Sequence, residues 1–208
     1  MYNPPSFNES RLEVQHALIK AFPLGLLITA VDARPEASPL PFTLNAEPEG
    51  LGVLQTHCSR ANTHWQAIDG ADALVVFQGA DSYITPAWYA SKQEHGKVVP
   101  TWNYATVQAR GTVRIIHDTE WLRTQVERLT HDHEAAREHA WQVTDAPAAY
   151  IEAHLKGIVG IEIVIASIEG KWKVSQNRSE ADRHGVATGL DAAGQPDAAD
   201  LVRRYGGI

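Results

Sequence analysis

The chain has 208 residues, 44% hydrophobic residues and a formal net charge of -7 at pH 7. It can therefore bury a substantial core, but it lacks the cationic excess that binding to nucleic acid or an anionic membrane requires. Its single cysteine, Cys58, excludes an internal disulfide, and no apolar stretch or signal-peptide pattern predicts membrane insertion or export, so we expect a cytoplasmic protein without membrane attachment.

The N-terminal half is predicted to hold one helix followed by short strands. Ser10 and Glu13 fit a capping box, and apolar residues then recur at helical spacing until Pro23. The segments after this helix are short, apolar or alternating, and separated by Gly, Pro, Asp and Glu. Their pattern predicts strands over residues 24–31, 40–46, 51–57 and 73–78.

Residues 106–116 carry the clearest strand pattern in the chain. Apolar residues at odd positions alternate with polar residues at even positions from 107 to 115, which predicts one buried and one polar face. A helical insert around residues 118–156 is expected next, with a first helix capped by Asp118 or Thr119. A second helical piece is predicted over residues 133–141, and Pro147 is expected to open a third.

The remaining residues are predicted to return to strands and then to end in helices. Two strands are expected over residues 158–168 and 171–175, joined by a Glu169-Gly170 turn. A C-terminal helical tail is predicted around residues 178–208. Five to seven short strands with a helical insert indicate a mainly β protein, an antiparallel barrel carrying peripheral helices. Since no internal repeat or low-complexity linker is visible, we expect a single domain over residues 1–208.

Between residues 81 and 104 the chain concentrates large aromatic side chains. Tyr and Trp rings supply much buried area and carry a polar end that usually needs a partner. So many large rings are not expected in an exposed loop. This stretch therefore either lines a pocket for a flat molecule or packs into the core against a helix. The residues concerned are Tyr83, Trp88, Tyr89, Trp102 and Tyr104.

Polar residues follow the strand predicted over residues 51–57. A helix beginning near Ser59 or Arg60 would direct free backbone N–H groups at an anion. Ser59 offers a hydroxyl, Arg60 a guanidinium that suits phosphate, and Asn62 a donor or an acceptor. The alternative is that Ser59 is only a helix N-cap and Arg60 a solvated surface charge.

A further polar cluster ends the last predicted strand. Gln176 and Asn177 offer amide donors and acceptors to the edge of a heterocycle, and Lys173 offers a cation to a second negative group. Without other information, the same residues also suit an ordinary strand end with a polar turn.

Taken together, these motifs resemble those of the PaiB family, FMN-binding negative transcriptional regulators with the flavin-binding split-barrel fold. The resemblance extends from the first residues to about Leu190. It implies a six-stranded split barrel, related in fold to pyridoxamine phosphate oxidases and flavin reductases, and a homodimer with FMN near the subunit interface. The motifs that carry it are residues 1–4 with Phe7, residues 40–42, residues 57–62 with Trp65, and residues 83–89, 99–104 and 173–178.

The resemblance also assigns residues to the two ends of an FMN site. The phosphate end consists of His57, Ser59, Arg60 and Asn62. The ring and ribityl end consists of Thr101, Trp102, Asn103, Lys173, Gln176 and Asn177. In one respect the chain departs from the family pattern, because Pro39 stands where the family implies a histidine before Leu40, and proline supplies neither a side-chain donor nor a backbone N–H.

Three functions are compatible with these motifs. The first is an FMN-binding negative regulator that acts indirectly, because the sequence shows no helix-turn-helix or basic face and its only paired cations near a helix end are Arg203 and Arg204. The second is a flavin-dependent oxidoreductase of the flavin-reductase or pyridoxamine phosphate oxidase kind. The third is a dimeric partner protein that has lost or changed its ligand. Haem bound by His57 or His64 is a further alternative, and we expect no metal site.

Overall fold

The computed structural model of the protein describes residues 1–46 and 50–208. The described chain forms eight strands and six α-helices. The strands are β1 (Asn8–Glu9), β2 (Leu24–Val31), β3 (Arg34–Pro41), β4 (Thr43–Asn45), β5 (Val53–Ser59), β6 (Asp72–Ile84), β7 (Thr101–Ile116) and β8 (Ile158–Lys173). The helices are α1 (Leu12–Ala21), α2 (Ser91–His95), α3 (Thr119–Glu134), α4 (Ala148–Lys156), α5 (Glu180–Ala192) and α6 (Pro196–Gly206).

The strands form one sheet in the order β3-β2-β6-β7-β8-β5-β4, with β1 pairing to β8. The pairs β1–β8, β2–β3, β2–β6, β4–β5 and β5–β8 are antiparallel. The prediction of a mainly β protein with helices is confirmed. No helix in the described part of the chain is long and apolar enough to cross a bilayer.

The chain forms two compact units. The first comprises Met1–Gln15, Gln78–Val107 and Glu169–Ile208, and the second comprises His16–Phe77 and Gln108–Ile168. The expectation of a single domain over residues 1–208 stays a prediction.

The second unit is built around alternating strands. In β5 the side chains of Leu54, Thr56 and Cys58 are buried, whereas those between them are half-buried. In β7 the odd positions from 107 to 113 are buried and the even positions are exposed or half-buried, as the alternation predicts. Such a pattern places one face of each strand in the core.

In the first unit, α5 and α6 pack together through small and branched side chains. Val186, Leu190, Ala199 and Val202 are fully buried. At the N-terminus of this unit, β1 pairs with the end of β8, so that Asn8 lies opposite Lys171. The buried ammonium of Lys171 donates a hydrogen bond to the backbone oxygen of Tyr2 at 3.0 Å.

Three of the predicted elements differ in the structure. The predicted Glu169-Gly170 turn is wrong, because β8 continues through both residues and Gly170 pairs with Glu9 of β1. A Cβ at position 170 would lie 2.8 Å from the Glu9 oxygen, so this glycine permits a close approach rather than a turn. The predicted helix over residues 133–141 is also wrong, since α3 ends at Glu134, whose carboxylate then accepts from Trp141 N at 3.2 Å.

The third difference concerns the strand predicted over residues 40–46. Two strands occupy this region, β3 and β4, and β3 begins six residues earlier than predicted. Prolines at positions 35, 39 and 41 obscure the strand pattern in the sequence. They are tolerated because β3 lies at one end of the sheet order.

Candidate functional site

The predicted phosphate-end residues lie where β5 ends, in the second unit. His57 is half-buried and Ser59 is exposed, and because alternate residues of a strand share a face, both side chains leave β5 on the same side. The chain then turns at Arg60 and Ala61 before a five-residue 3-10 helix, Thr63–Ala67.

The expectation that an α-helix begins near Ser59 or Arg60 is wrong. The N-cap is Asn62, whose Oδ1 accepts from His64 N at 3.0 Å. The backbone N–H of Arg60 already donates to Gly157 O, and that of Asn62 to Ser59 O, both at 2.9 Å. A single short 3-10 turn supplies little dipole, so any anion bound here depends on side chains.

Arg60 is held by backbone and side-chain contacts from three directions. Its Nε donates to the Lys156 carbonyl at the end of α4 at 3.0 Å, and its Nη1 donates to Nδ1 of His117 at 3.4 Å. Trp65 donates from its indole N–H to the Arg60 carbonyl at 3.2 Å and meets His117 edge-on, with ring centroids 5.6 Å apart. Among the described residues, Nη2 of Arg60 has no hydrogen-bond partner, so the guanidinium is oriented and still has donors for an anion.

Ser59 completes the polar part of this turn. Its hydroxyl oxygen accepts from Ala61 N at 3.2 Å, which leaves the hydroxyl hydrogen to donate. A cation and a neutral donor side by side fit a phosphate group. The donor chemistry of this turn therefore fits the phosphate of FMN.

His57 contacts a residue that the sequence did not single out. Its Nδ1 lies 2.7 Å from Oε1 of Gln125 on α3, and the Gln125 side chain is only 2% exposed. Opposite His57 on β8 is Gly160, whose missing side chain makes room for the Trp121 ring. The only sequence signal for Gln125 is that this polar residue lies between Leu122 and Leu129, which share an apolar stripe of the helix predicted from Asp118.

Asn62 and His64 form a closed hydrogen-bond network with β2 and β3. The Asn62 amide nitrogen donates to Ser38 Oγ at 3.4 Å. The buried imidazole of His64 hydrogen-bonds Ser38 Oγ through Nδ1 and Thr29 Oγ1 through Nε2, each at 2.8 Å. Since both ring nitrogens are engaged, His64 is unsuited to be an axial haem ligand.

The predicted ring-end residues lie in the first unit, where β7 begins and β8 ends. The Lys173 ammonium donates to Thr101 Oγ1 at 2.5 Å and to the Trp102 carbonyl. Burial, together with the nearby cations Lys171 and Arg178, holds the pKa of Lys173 below its usual value. The amine therefore lies in a cationic region where a negative group would be favourable.

Two of the predicted ring-end amides are already committed to the fold. Asn103 is 4% exposed and donates to Ser175 Oγ at 3.0 Å. Gln176 turns back over the end of β8, where it accepts from Val174 N at 2.8 Å and donates to the Trp172 carbonyl at 2.5 Å. Asn177 is exposed.

Some rings of the aromatic stretch are exposed, as a pocket for a flat molecule requires, whereas others pack into the core. Trp102 and Tyr83 are 55% and 48% exposed, and their ring centroids lie 6.0 Å apart in an edge-to-face pair. Tyr89 is only 2% exposed and Trp88 packs on Gly189 of α5. Exposed rings are therefore present for a flat ligand, while Tyr89 belongs to the core and Trp88 is half-buried against α5. Tyr104, the fifth ring, is also half-buried, with the Lys171 ammonium 5.4 Å from its centroid.

Two surface pockets are lined by none of the predicted site residues. One, of about 540 Å³, is lined by residues of α3 and by residues 140–144, including Glu134 and Trp141. The other, of about 620 Å³, is lined by residues that include Arg114, Glu162 and Val164. In the described ranges no group of three or more His, Cys, Asp or Glu side chains is arranged to hold a metal ion.

Comparison with known proteins defines the class of protein and then the family. A structure described as the FAD and heme binding protein from Mycobacterium smegmatis has a TM-score of 0.56 and 17% identity, over 80% of this chain and 73% of that one. The split-barrel fold is thereby confirmed, here as an open sheet of eight strands rather than six. Residues 1–167 match the family described as "Putative FMN-binding domain". The chain belongs to this family, whose cofactor is FMN.

Two relatives match nearly the whole chain. An uncharacterized protein of Emericella nidulans is 35% identical over 246 residues, covering 99% of this chain and 98% of its own length. The Bacillus subtilis protein named Protease synthase and sporulation protein PAI 2 is 28% identical over 203 residues, covering 97% of this chain and 95% of its own length. The resemblance to the PaiB family is confirmed.

Proposed function

We propose that the protein is a homodimeric, FMN-binding regulator of the PaiB type that represses transcription indirectly, without itself reading DNA. The observation that carries the FMN site is the oriented guanidinium of Arg60 beside the Ser59 hydroxyl at the end of β5. In this proposal Ser59, Arg60 and His57 contact the phosphate, and Asn62 holds the turn that presents them.

The ring and ribityl end is proposed to use the residues around the start of β7 and the end of β8. The exposed Trp102 ring offers a stacking surface worth about 1 to 3 kcal/mol, by analogy with nucleobases. Lys173 has three N–H donors and uses two of them within the protein, so one is free for a carbonyl or an anionic nitrogen of the flavin. Thr101 and Asn177 are proposed to add a hydroxyl and an amide contact, while Asn103 and Gln176 position the backbone around them. FMN is proposed to lie near the subunit interface of the homodimer.

Indirect regulation is supported by the charge distribution. The net charge of -7 disfavours approach to DNA. Of the two arginines near the end of α6, Arg203 is ion-paired with Asp191 and, at 2.7 Å, with Asp200. A regulatory role also agrees with the name of the Bacillus relative, which refers to protease synthesis and sporulation.

Titration with FMN and with riboflavin tests the phosphate end. Each ligand's fluorescence is followed as protein is added. A charge-assisted hydrogen bond is worth about 1.5 to 3 kcal/mol, so Arg60→Ala is expected to weaken FMN binding by about 10- to 100-fold and to leave riboflavin binding unchanged. The matched control is Arg110→Ala, which removes an exposed arginine of β7 that hydrogen-bonds Gln108 at 3.4 Å and no other side chain among the described residues. Equal loss of both ligands in Arg60→Ala would contradict the assignment.

Two further measurements test the rest of the proposal. A gel-shift experiment with the purified protein is expected to show no tight, sequence-selective operator complex, and such a complex would overturn indirect regulation. After addition of FMN and removal of the unbound flavin by gel filtration, the absorption spectrum of the protein from about 350 to 600 nm is expected to show flavin bands. A Soret band in the protein as isolated would instead support haem, and steady oxidation of NADPH with FMN present would support a flavin-dependent oxidoreductase.

A further inference from the structure

We infer that Gln125 fixes a proton on Nδ1 of His57, so that His57 binds the FMN phosphate only after taking up a second proton on Nε2. FMN binding is then coupled to proton uptake. The inference rests on the proposed FMN site and adds to it a positioning residue and a dependence on pH.

The direction of the hydrogen bond follows from the two atoms that it joins. Nδ1 of His57 lies 2.7 Å from Oε1 of Gln125, and an amide oxygen only accepts. Nδ1 therefore carries the hydrogen. A neutral imidazole has one ring hydrogen, so Nε2 then presents a lone pair. Phosphate oxygens also only accept, and the neutral ring consequently has nothing to donate to them.

Protonation removes this mismatch. An imidazolium donates from both nitrogens, so Nδ1–H stays on Gln125 while Nε2–H points to a phosphate oxygen. The proton comes from solvent, and no other bond changes. The ring gains a positive charge where the ligand brings a dianion.

The surroundings of Gln125 indicate that it is not kept for stability. It is 2% exposed, and its amide nitrogen is buried without a hydrogen-bond partner among the described residues. A buried unpaired donor is costly, and a leucine on the same apolar stripe would avoid that cost. A polar residue at such a position is typical of a functional role.

The charged groups on β5, on β8 and on the Gln125 side of α3 whose contacts the structure gives are paired or belong to the same site, whereas Glu120, Arg123 and Glu127 lie about 140° to 160° around α3 from Gln125. Glu162 on β8 is bound by Arg114 and by Gln55 at 2.8 Å. Arg128 on α3 donates to Asn45 and to the Leu44 carbonyl. Arg60, at the end of β5, belongs to the phosphate end itself. Among the described residues on that side, the carboxylate of Glu162 is therefore not free to hold an imidazolium before the ligand arrives.

Calorimetry in buffers of different ionisation enthalpy measures the coupling directly in the unmodified protein. Between about pH 7 and 9 the FMN phosphate is already a dianion and takes up no proton itself. In part of this range the protein is expected to take up close to about one proton for each FMN that it binds. The FMN affinity is then expected to fall by up to about tenfold for each unit by which the pH rises. Riboflavin, which lacks the phosphate, is expected to bind without this uptake.

Variants assign the proton to its site. His57→Gln is expected to abolish the uptake, whereas the matched control His16→Gln, which removes a half-buried histidine bonded to the Leu51 carbonyl at 2.9 Å, is expected to preserve it. In the ligand-free protein at alkaline pH, the ¹⁵N shifts of His57 are expected to show the Nδ1–H tautomer. Gln125→Leu is expected to shift this ring toward the Nε2–H tautomer and to reduce the uptake.

The outcomes separate this inference from the FMN site on which it rests. FMN binding without proton uptake across the whole range, or an Nε2–H tautomer in the unmodified protein, would overturn the role of Gln125 and leave the FMN site intact. Failure of the unmodified protein to bind FMN, or equal affinity for FMN and riboflavin, would overturn the proposed phosphate site itself.

Discussion

The contact between α5 and Trp88 predicts that one added methyl group will destabilise the protein. A Cβ at Gly185 would lie 2.0 Å from the backbone oxygen of Trp88. An ordinary carbon–oxygen contact is about 3.3 Å, so helix and backbone must separate by more than about 1 Å. Overpacking of this kind costs about 1 to 3 kcal/mol, and a rigid backbone atom places the cost at the upper end.

The helix preference of alanine offsets part of this cost. Replacing a helical glycine by alanine gains about 1 kcal/mol, so Gly185→Ala should lose about 2 kcal/mol net. For a chain of this size the melting temperature should fall by about 4 to 8 °C. Urea denaturation and a thermal melt followed by circular dichroism measure both quantities.

Gly206, in α6, is the matched control for the same substitution. A Cβ there would lie 2.8 Å from Cδ of Arg183, the flexible part of a side chain that can move aside. Gly206→Ala is therefore expected to be neutral or to stabilise by up to about 1 kcal/mol. Equal stability of Gly185→Ala and the unmodified protein would refute the close packing of α5 on residue 88.

Two further predictions concern buried polar groups. Burial acts to raise the pKa of Asp182, but hydrogen bonds from Ser91 N at 2.9 Å and Ser91 Oγ at 2.8 Å outweigh it and hold that pKa below its usual value of 3.8. The carboxylate therefore stabilises the fold above pH 3.8, and this contribution is lost as the pH falls through the lower pKa of Asp182 in the folded protein. Asp182→Asn should lower the free energy of unfolding by about 1 to 2 kcal/mol at pH 7 and by less near pH 3. Urea denaturation at the two pH values measures the difference. His64→Leu removes the imidazole to which the buried hydroxyls of Thr29 and Ser38 hydrogen-bond and should cost about 1 to 3 kcal/mol. The absorption of flavin that stays with the protein after unbound FMN is removed should not change in this variant, and loss of bound flavin or of haem absorption would contradict a purely structural role.

The sequence predicted those strands whose signal is local. Residues 24–31 form β2 with the predicted bounds, because a short and almost continuous apolar run lies there between Pro23 and Asp32. The continuity of β8 through Gly170 could not be predicted, because it depends on Glu9, which is 161 residues away in the chain. In β3 the prolines removed the residue preferences on which strand prediction relies.

The same distinction explains which parts of the candidate site could be predicted. Ser59 and Arg60 follow directly from the end of a predicted strand. The residues that orient this part of the chain, His117 and Gln125, lie 57 residues from Arg60 and 68 from His57 in sequence and are brought there only by the fold. The expected α-helix at Ser59 failed because the backbone donors of the turn were already used by Gly157 and by Ser59 itself.

The prolines of β3 limit how this strand can pair with a strand of another copy of the protein. All three prolines occupy odd positions of β3, so their backbone nitrogens point to the same side of the strand. In the register with β2, Pro35 lies opposite Ala30, Pro39 opposite Leu26 and Pro41 opposite Leu24. Proline is accepted in a ladder where its nitrogen points away from the neighbouring strand, and the outer border of β3 is consequently depleted of donors. An incoming strand would find too few N–H groups to continue the sheet, which guards against the edge-to-edge joining that begins aggregation. The proline at position 39, where the family implies a histidine, strengthens this protection.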